Sequence, residues 1–358
     1  PRGNVIMFKI AIDAMGGDNA PEAIVAGVEL ARDQMPDTEF LLFGQLDKVK
    51  PFVKNEERLT LVQADEVIAM ADEPVKSIRR KKQSSLVLAA QAVKNGDADA
   101  IFSAGNTGAL LAAGIFIVGR IKGIDRPALM TALPAFDGPH DAFVMMDMGA
   151  NAENRPAHLY QYGILGSFYA HEILGYDAPR VGLLNNGTEE DKGDQVHKEA
   201  HQLLRYGSEH NLLNFVGNVE AREVLQGPAD VVIADGFSGN ATLKSIEGTA
   251  LSLLKLLKDT IMNGSLKTKM AGAMLKPALK GVQAKLDYSQ HGGAVVIGVN
   301  APVVKTHGSA GPDAVANTMK QIHTMLEADL VAKVQAFVAD HKEDLAARPE
   351  NDVDGAAE

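Results

Sequence analysis

The 358-residue sequence contains no cysteine and no tryptophan. The first absence removes disulfides, thiolate nucleophiles and cysteine-bound metals together, and it fits a reducing, cytoplasmic setting. The second, with aromatic residues at only 5%, leaves the interior to Ala, Val, Ile, Leu and the 13 Met. No stretch approaches the roughly 20 apolar residues that a membrane span needs, and the N-terminal segment has no apolar run of the signal-peptide kind. Both nucleotide cradles, GxxxxGK(S/T) and GxGxxG, are missing, as are HExxH and GxSxG. The ten His are scattered along the chain, so no metal and no cofactor is expected. A formal charge of −11 disfavours nucleic acid as a partner.

What is present is material for a large core, with 46% hydrophobic residues, in one regular alternation. Short β-branched runs are predicted strands at 8–12, 40–43, 59–62, 100–102, 128–132, 143–146, 181–184, 215–216, 231–234, 294–297 and 303–305. Between them, helical periodicity covers 21–34, 85–94, 156–173, 195–205 and 240–257, with Pro21 and Pro156 in first-turn positions. Alternation of this kind predicts an α/β fold, three layers α/β/α with a largely parallel mixed sheet. No linker interrupts it. The expectation is a single catalytic unit over 8–342, made of two interleaved subdomains with a cleft, followed by a disordered acidic tail at 348–358.

Ligands of open α/β sheets bind where strands end and helices begin. Five such places carry small polar segments: Asp13-Ala14-Met15-Gly16-Gly17-Asp18, Ser103-Ala104-Gly105-Asn106-Thr107-Gly108, Asp147-Met148-Gly149-Ala150-Asn151, Asn185-Asn186-Gly187-Thr188-Glu189 and Asp235-Gly236-Phe237-Ser238-Gly239-Asn240. A sixth, Gly292-Gly293-Ala294, enters a strand. Glycine admits close backbone approach, and free N–H groups at a helix start favour an anion. Together they predict a polar, anion-friendly cleft. Any one of them alone reads as an ordinary turn with a helix cap. Cations near it are few: Lys192, Lys244, Lys305 and His307.

These segments also carry a resemblance. AIDAMGGDNAPE, EPVKSIRRKKQSS, SAGNTGALLAAG, MDMGANAENRP, LLNNGTEEDKG, ADGFSGNATLK and YSQHGGAVVIGV…VKTHGS occur in order from about residue 8 to beyond 310. Together they resemble the bacterial phosphate acyltransferases, the PlsX family of acyl-ACP:phosphate transacylases. The resemblance implies an isocitrate/isopropylmalate-dehydrogenase-like fold and a homodimer in phospholipid synthesis. It implies transfer of a fatty acyl group from acyl carrier protein to inorganic phosphate. The acyl phosphate would pass to a membrane glycerol-3-phosphate acyltransferase, from a protein that is cytoplasmic and peripherally bound to the inner face of the membrane.

A thioester is already activated and phosphate is itself a nucleophile, so direct attack needs only positioning and donors for the oxyanion. Lys192 and Asn240 are the candidate catalytic residues. Asp13, Gly16, Gly17, Asn106, Thr107, Asn151, Asn185, Gly187, Thr188, Gly239, Lys244, Gly292, Gly293 and His307 are the candidate substrate and phosphate contacts. Two other classes stay open: a metal- and NAD(P)-dependent decarboxylating dehydrogenase, which needs arginines at the strand ends, and a non-catalytic scaffold for acyl carrier protein.

Two local basic regions stand out within the acidic whole. Lys76, Arg79, Arg80, Lys81 and Lys82 place five cations in seven residues, and the last four are the expected docking patch for acyl carrier protein. Residues 243–286 hold eight Lys against Glu247 and Asp259, interleaved with leucines and methionines. That pattern predicts an amphipathic helical hairpin for an anionic membrane surface, a dimer interface, or both.

Overall fold

The computed structural model describes residues 7–286 and 292–346; the tail 348–358 and part of the YSQHGG motif lie outside them. Its strands are β1 (Phe8–Asp13), β2 (Thr38–Gly44), β3 (Leu59–Gln63), β4 (Ala100–Ser103), β5 (Ala128–Pro134), β6 (Ala142–Met146), β7 (Arg180–Asn185), β8 (Asn214–Glu220), β9 (Val231–Ile233), β10 (Ala294–Ile297) and β11 (Val303–Lys305). Its helices are α1 (Glu22–Gln34), α2 (Leu46–Val49), α3 (Pro74–Arg80), α4 (Ser85–Asn95), α5 (Thr107–Ala113), α6 (Pro156–Glu172), α7 (Gln195–Glu209), α8 (Gly236–Met262), α9 (Leu266–Leu286), α10 (Pro312–Glu327), α11 (Leu330–Asp340) and α12 (Lys342–Leu345).

Every predicted strand is present, eight of them longer than their patterns and β8 by the most. Gly217 reads as a terminator after Val216, yet β8 continues through it with a register shift against β7, the glycine taking φ +106°. A glycine inside a strand often marks such an irregularity. Pro21 is the residue before α1, and Pro156 opens α6.

All eleven strands form one sheet in the order β3-β2-β1-β4-β11-β10-β5-β6-β9-β7-β8. Side chains alternate across it as a period of two requires: Ile10 and Ile12 of β1 face one apolar layer and Ala11 the other. The first layer is closed by α1, α6, α7, α10 and α11. The second is closed by α3, α4 and α5, with Leu243 and Ile246 of α8 packed at its edge. The result is three layers, α/β/α.

The sheet is mostly parallel, but with a reversal in the middle. Strands β3, β2, β1, β4 and β11 run one way. Strands β6, β9, β7 and β8 are parallel to one another. Between the two blocks β10 and β5 are each antiparallel to both neighbours, so the second block runs opposite to the first. Register places the ends of both blocks at one level. Lys305, last in β11, pairs with Ala294; one rung on, Val295 pairs with Met130, which pairs with Met146, last in β6. The C-terminal ends of the two blocks therefore approach the middle of the sheet from opposite directions.

Helices α8 and α9 depart from this layered plan. Beyond its first turns α8 carries its side chains into solvent, and no described residue of α9 is buried. Leu251, Leu256, Leu266, Met270 and Met274 are exposed, the last at 82%. The two helices form an amphipathic pair joined through 263–265, with an apolar surface that the described residues leave uncovered. No helix among the described residues is long and apolar enough to cross a membrane.

The root of α8 is held by close backbone contact. A Cβ on Gly239 would stand 2.0 Å from the carbonyl oxygen of Asp147, so the helix can lie against the end of β6 only with glycine there. Gly239→Ala is expected to lose about 1–3 kcal/mol of stability through this overlap. Equilibrium denaturation tests it, and an unchanged midpoint would show that the contact yields without strain.

Candidate active site where the two strand blocks meet

A cleft of about 1150 Å³ opens at this meeting line. One wall comes from the first block, with Thr107 and Gly108 following β4 and Lys305, Thr306 and His307 closing β11. The opposite wall comes from the second block, with Met148 and Gly149 after β6 and Asn240 and Lys244 on α8 after β9. Gly292 and Gly293, entering β10, and the start of α10 complete it. Leu111, Leu129, Leu243 and Ala314 add apolar surface to the polar lining.

Lys305 is the most perturbed cation. It is buried at 8% exposure, and its Nζ donates to the Thr306 carbonyl at 2.7 Å. Burial pushes its pKa down from 10.5 to about 8, against the opposing pull of Asp18. His307 is exposed and shares a hydrogen bond with Ser309 Oγ at 2.8 Å. Lys244 pairs with Glu247 at 3.0 Å, which offsets a carboxylate that also lines the cleft. Asn240 lies over Gly149, and among the described residues its side-chain amide has no hydrogen-bond partner. The N–H groups at the start of α5 stand beside Thr107, as an anion would need.

Comparison with known proteins gives this geometry a family. The family model described as "Fatty acid synthesis protein" matches residues 8–333. The phosphate acyltransferase of Leuconostoc mesenteroides is 64% identical over 340 residues, covering 95% of this chain and 98% of that relative. The phosphate acyltransferase of Enterococcus faecalis is 59% identical over 330 residues, covering 92% and 98%. The chain belongs to the phosphate acyltransferase family. It is thus an acyltransferase of fatty acid and phospholipid synthesis. Solved structures share the fold at much lower identity. The phosphotransacetylase of Streptococcus pyogenes superposes with a TM-score of 0.58 at 15% identity, over 91% of this chain and 96% of that one. The EutD phosphotransacetylase of Staphylococcus aureus gives 0.54 at 17%, over 90% and 94%.

Of the candidates read from the sequence, this phosphate acyltransferase fold places Thr107, Asn240, Lys244, Gly292, Gly293 and His307 in the cleft lining. The other candidates do not line it, and their hydrogen bonds say why. Asp13 is buried and accepts from Ser85 Oγ at 2.5 Å and Ser103 Oγ at 2.7 Å; burial holds its carboxyl above the usual range. Gly16 packs against that carboxylate, and Gly17 against Ala104 and the Gly308 carbonyl. Asn106 spends its amide on the carbonyls of Ala69, Met70 and Asp72, and its oxygen on the Ala109 N–H as cap of α5. Asn151 is bound to Pro127, Asp147 and Tyr162. Asp147 itself is a buried hub that accepts from the N–H groups of Leu129, Gly149, Ala150 and Asn151. Gly239 rests on the Asp147 carbonyl.

The loop after β7 sits away from the cleft lining. There Asn185 holds the Lys192 carbonyl at 3.1 Å, Gly187 backs the Lys192 stem, and Thr188 and Lys192 are exposed. Of the expected docking residues, Arg79, Arg80 and Lys82 are exposed, whereas Lys81 is tied to Asp72 at 2.5 Å and to the Val67 carbonyl at 2.9 Å. Lys305 is the residue passed over among the site candidates; its signal was a lysine ending an apolar strand just before Thr306 and His307. Away from the cleft, Asp37, His323 and Glu327 come within ligand distance of one another, but the imidazole already lies between the carboxylates, 3.0 Å from Asp37 and 3.3 Å from Glu327.

The lowered pKa of Lys305 gives a stability signature. Below about pH 8 the lysine is charged in both states, and burying that charge is a full penalty; above about 10.5 it is neutral in both, and the penalty is gone. Lys305→Met is therefore expected to melt above the unsubstituted chain at pH 7, with the gap closing as pH rises from about 8 to about 10.5. Melting curves across that window test it, and a gap independent of pH would mean that Lys305 does not titrate there.

Proposed function

We propose that this phosphate acyltransferase moves a fatty acyl group from acyl carrier protein to inorganic phosphate by direct attack on the thioester. The observation that carries the reading is the mixed lining of the cleft: the Asn240 side-chain amide, which has no hydrogen-bond partner among the described residues, shares it with Lys305, His307 and the start of α5 and with the apolar Leu111, Leu129 and Leu243. A phosphate oxygen attacks the carbonyl carbon, the new C–O bond gives a tetrahedral oxyanion, and its collapse breaks the C–S bond. The products are acyl phosphate and the carrier thiol, the proton lost by the attacking hydrogen phosphate passing to the departing thiolate. In this reading the start of α5, Lys305 and His307 hold phosphate, and Asn240 donates to the oxyanion. Lys244 neutralises charge at the rim. Lys192, exposed on a neighbouring loop, would have to reach the bound carrier arm to serve the leaving thiolate. The cleft lining among the described residues includes no arginine, which speaks against a hydroxy-acid dehydrogenase, and a scaffold would need no such cavity.

The test is phosphate-dependent release of carrier thiol from acylated carrier protein. Asn240→Ala should lower kcat by ~10²-fold or more with little change in the KM for phosphate. Turnover within a few-fold of the unsubstituted enzyme would remove Asn240 from the reaction.

The location that suits this chemistry is the inner face of the cell membrane, where labile acyl phosphate would meet a membrane glycerol-3-phosphate acyltransferase. Helices α8 and α9 supply the contact in this reading. Lysines beside an anionic leaflet add ~1 kcal/mol each, whereas the core of a dimer interface tends to exclude them. The same leucines suit a homodimer contact nearer the root of the pair. The Met270→Glu, Leu275→Glu variant should no longer sediment with vesicles containing anionic lipid while keeping its oligomeric state. Sedimentation equal to that of the unsubstituted chain would place the membrane contact elsewhere.

A further inference from the structure

A second cavity lies on the face covered by α3 and α4. It is a groove of about 580 Å³, bordered by α3, α4 and the π-helical turn Gly114–Val118 that continues α5. We propose that this groove is the docking surface for the acidic carrier protein, resting on the thioester donor assigned above. It redraws the basic patch read from the sequence: Lys81 leaves it, and Lys94 and an aromatic residue join it.

Three observations define the surface. Arg79 and Lys82, on and just after α3, and Lys94 of α4 line the groove, and among the described residues none of them lies within ion-pair distance of a carboxylate. Lys81, one position before Lys82, is by contrast committed to Asp72. Three cations without a described ion-pair partner, gathered from α3, the residues after it and α4, are notable in a chain of net charge −11. The groove is also apolar at its base, with Ile78 and Ile117, and Phe116 stands in it at 59% exposure. An exposed aromatic ringed by cations suits an anchor for an amphipathic helix whose polar flank is acidic. Charge complementarity of that kind raises the association rate and fixes orientation.

The third observation is connection to the cleft. Thr107 and Gly108, at the start of α5, line the active-site cleft, and the same run of helix ends in the π-turn that carries Phe116. Nine residues separate Thr107 from Phe116, about 14 Å at helical rise. A carrier seated on the groove thus has the cleft mouth within reach of a flexible thioester arm. A flat lipid surface would touch only the rim cations and leave the base unused, whereas a helix fills both.

The experiment uses the full-length enzyme and two variants, Lys82→Glu with Lys94→Glu, and Phe116→Ala, each checked by thermal melting. Binding of unacylated carrier protein is titrated at low and high salt. Turnover is measured with acylated carrier protein and with a short-chain acyl N-acetylcysteamine thioester. The charge-reversal variant should bind the carrier about tenfold or more weaker and lose most of the salt dependence. The ratio of kcat/KM for carrier to that for the small thioester should fall by the same factor. Phe116→Ala should weaken binding about tenfold while keeping the salt dependence, and it decides the matter if the reversal variant does not fold. Carrier affinity and ratio within about twofold of the unsubstituted enzyme in the folded variants would overturn the proposal. So would loss of binding to anionic vesicles with carrier binding intact, which would assign the groove to lipid. If the unsubstituted enzyme turns over the small thioester but neither binds nor uses the carrier, the donor assignment itself fails, and the docking surface with it.

Discussion

The reversal of the sheet at β10 and β5 is the constraint on which the site depends. Each of these strands is antiparallel to both neighbours, so two parallel blocks meet head to head. Turns at the C-terminal ends of parallel strands present helix N-termini and free N–H groups. In a uniformly parallel sheet all of them would lie along one edge. Here they face one another across a cleft, and a substrate between them can be gripped from both sides. Gly293 shows how tightly the junction is built: a Cβ there would sit 2.2 Å from the Lys305 carbonyl oxygen.

The polar residues of the turns divide into two kinds of work. Asp13, Asp147, Asn106 and Asn151 are consumed by the backbone and side chains around them, and burial raises the pKa of both aspartates. A buried polar group left without partners is destabilising by about 1–3 kcal/mol, so such networks are closed before any ligand arrives. Their closure fixes the turn that carries Gly149 and the helix starts that carry Thr107 and Asn240. The groups left over for a ligand are few, and among the described residues the Asn240 side chain is one that has no hydrogen-bond partner. A site built this way is preorganised, which is what stabilisation of an oxyanion by fixed donors requires.

The same chain carries surfaces of opposite character. The cleft rim balances Lys244 with Glu247, whereas the groove cations Arg79, Lys82 and Lys94 have no ion-pair partner among the described residues. The pair α8 and α9 exposes leucine and methionine beside lysine. α8 connects two of these regions, with Asn240 and Lys244 at its root in the cleft and Leu251 and Leu256 farther out. A single rigid helix thereby sets the distance between the reacting centre and whatever covers the apolar pair.

By itself the sequence determined the elements and the positions of the turns, because both are written in local terms. Apolar runs with a period of two, prolines at helix starts and glycine-rich segments after strands all act within a few residues. The family motifs belong to the same local text, and they were enough to name the family. The tertiary structure decided which turns meet. Strands β10 and β11 enter the sheet beside β4 and β5 from far along the chain, and no short-range pattern encodes that pairing or its direction. It also decided which polar side chains are spent on the fold and which are free. Asn106 and Asn240 look alike in the sequence, each an asparagine in a glycine-bounded turn. Only the neighbours folded against them separate a helix cap bound to three carbonyls from an amide open to the cleft. Lys305 could be placed near the cleft from the sequence but not singled out there: a lysine ending an apolar strand is ordinary until burial, seen only in three dimensions, lowers its pKa.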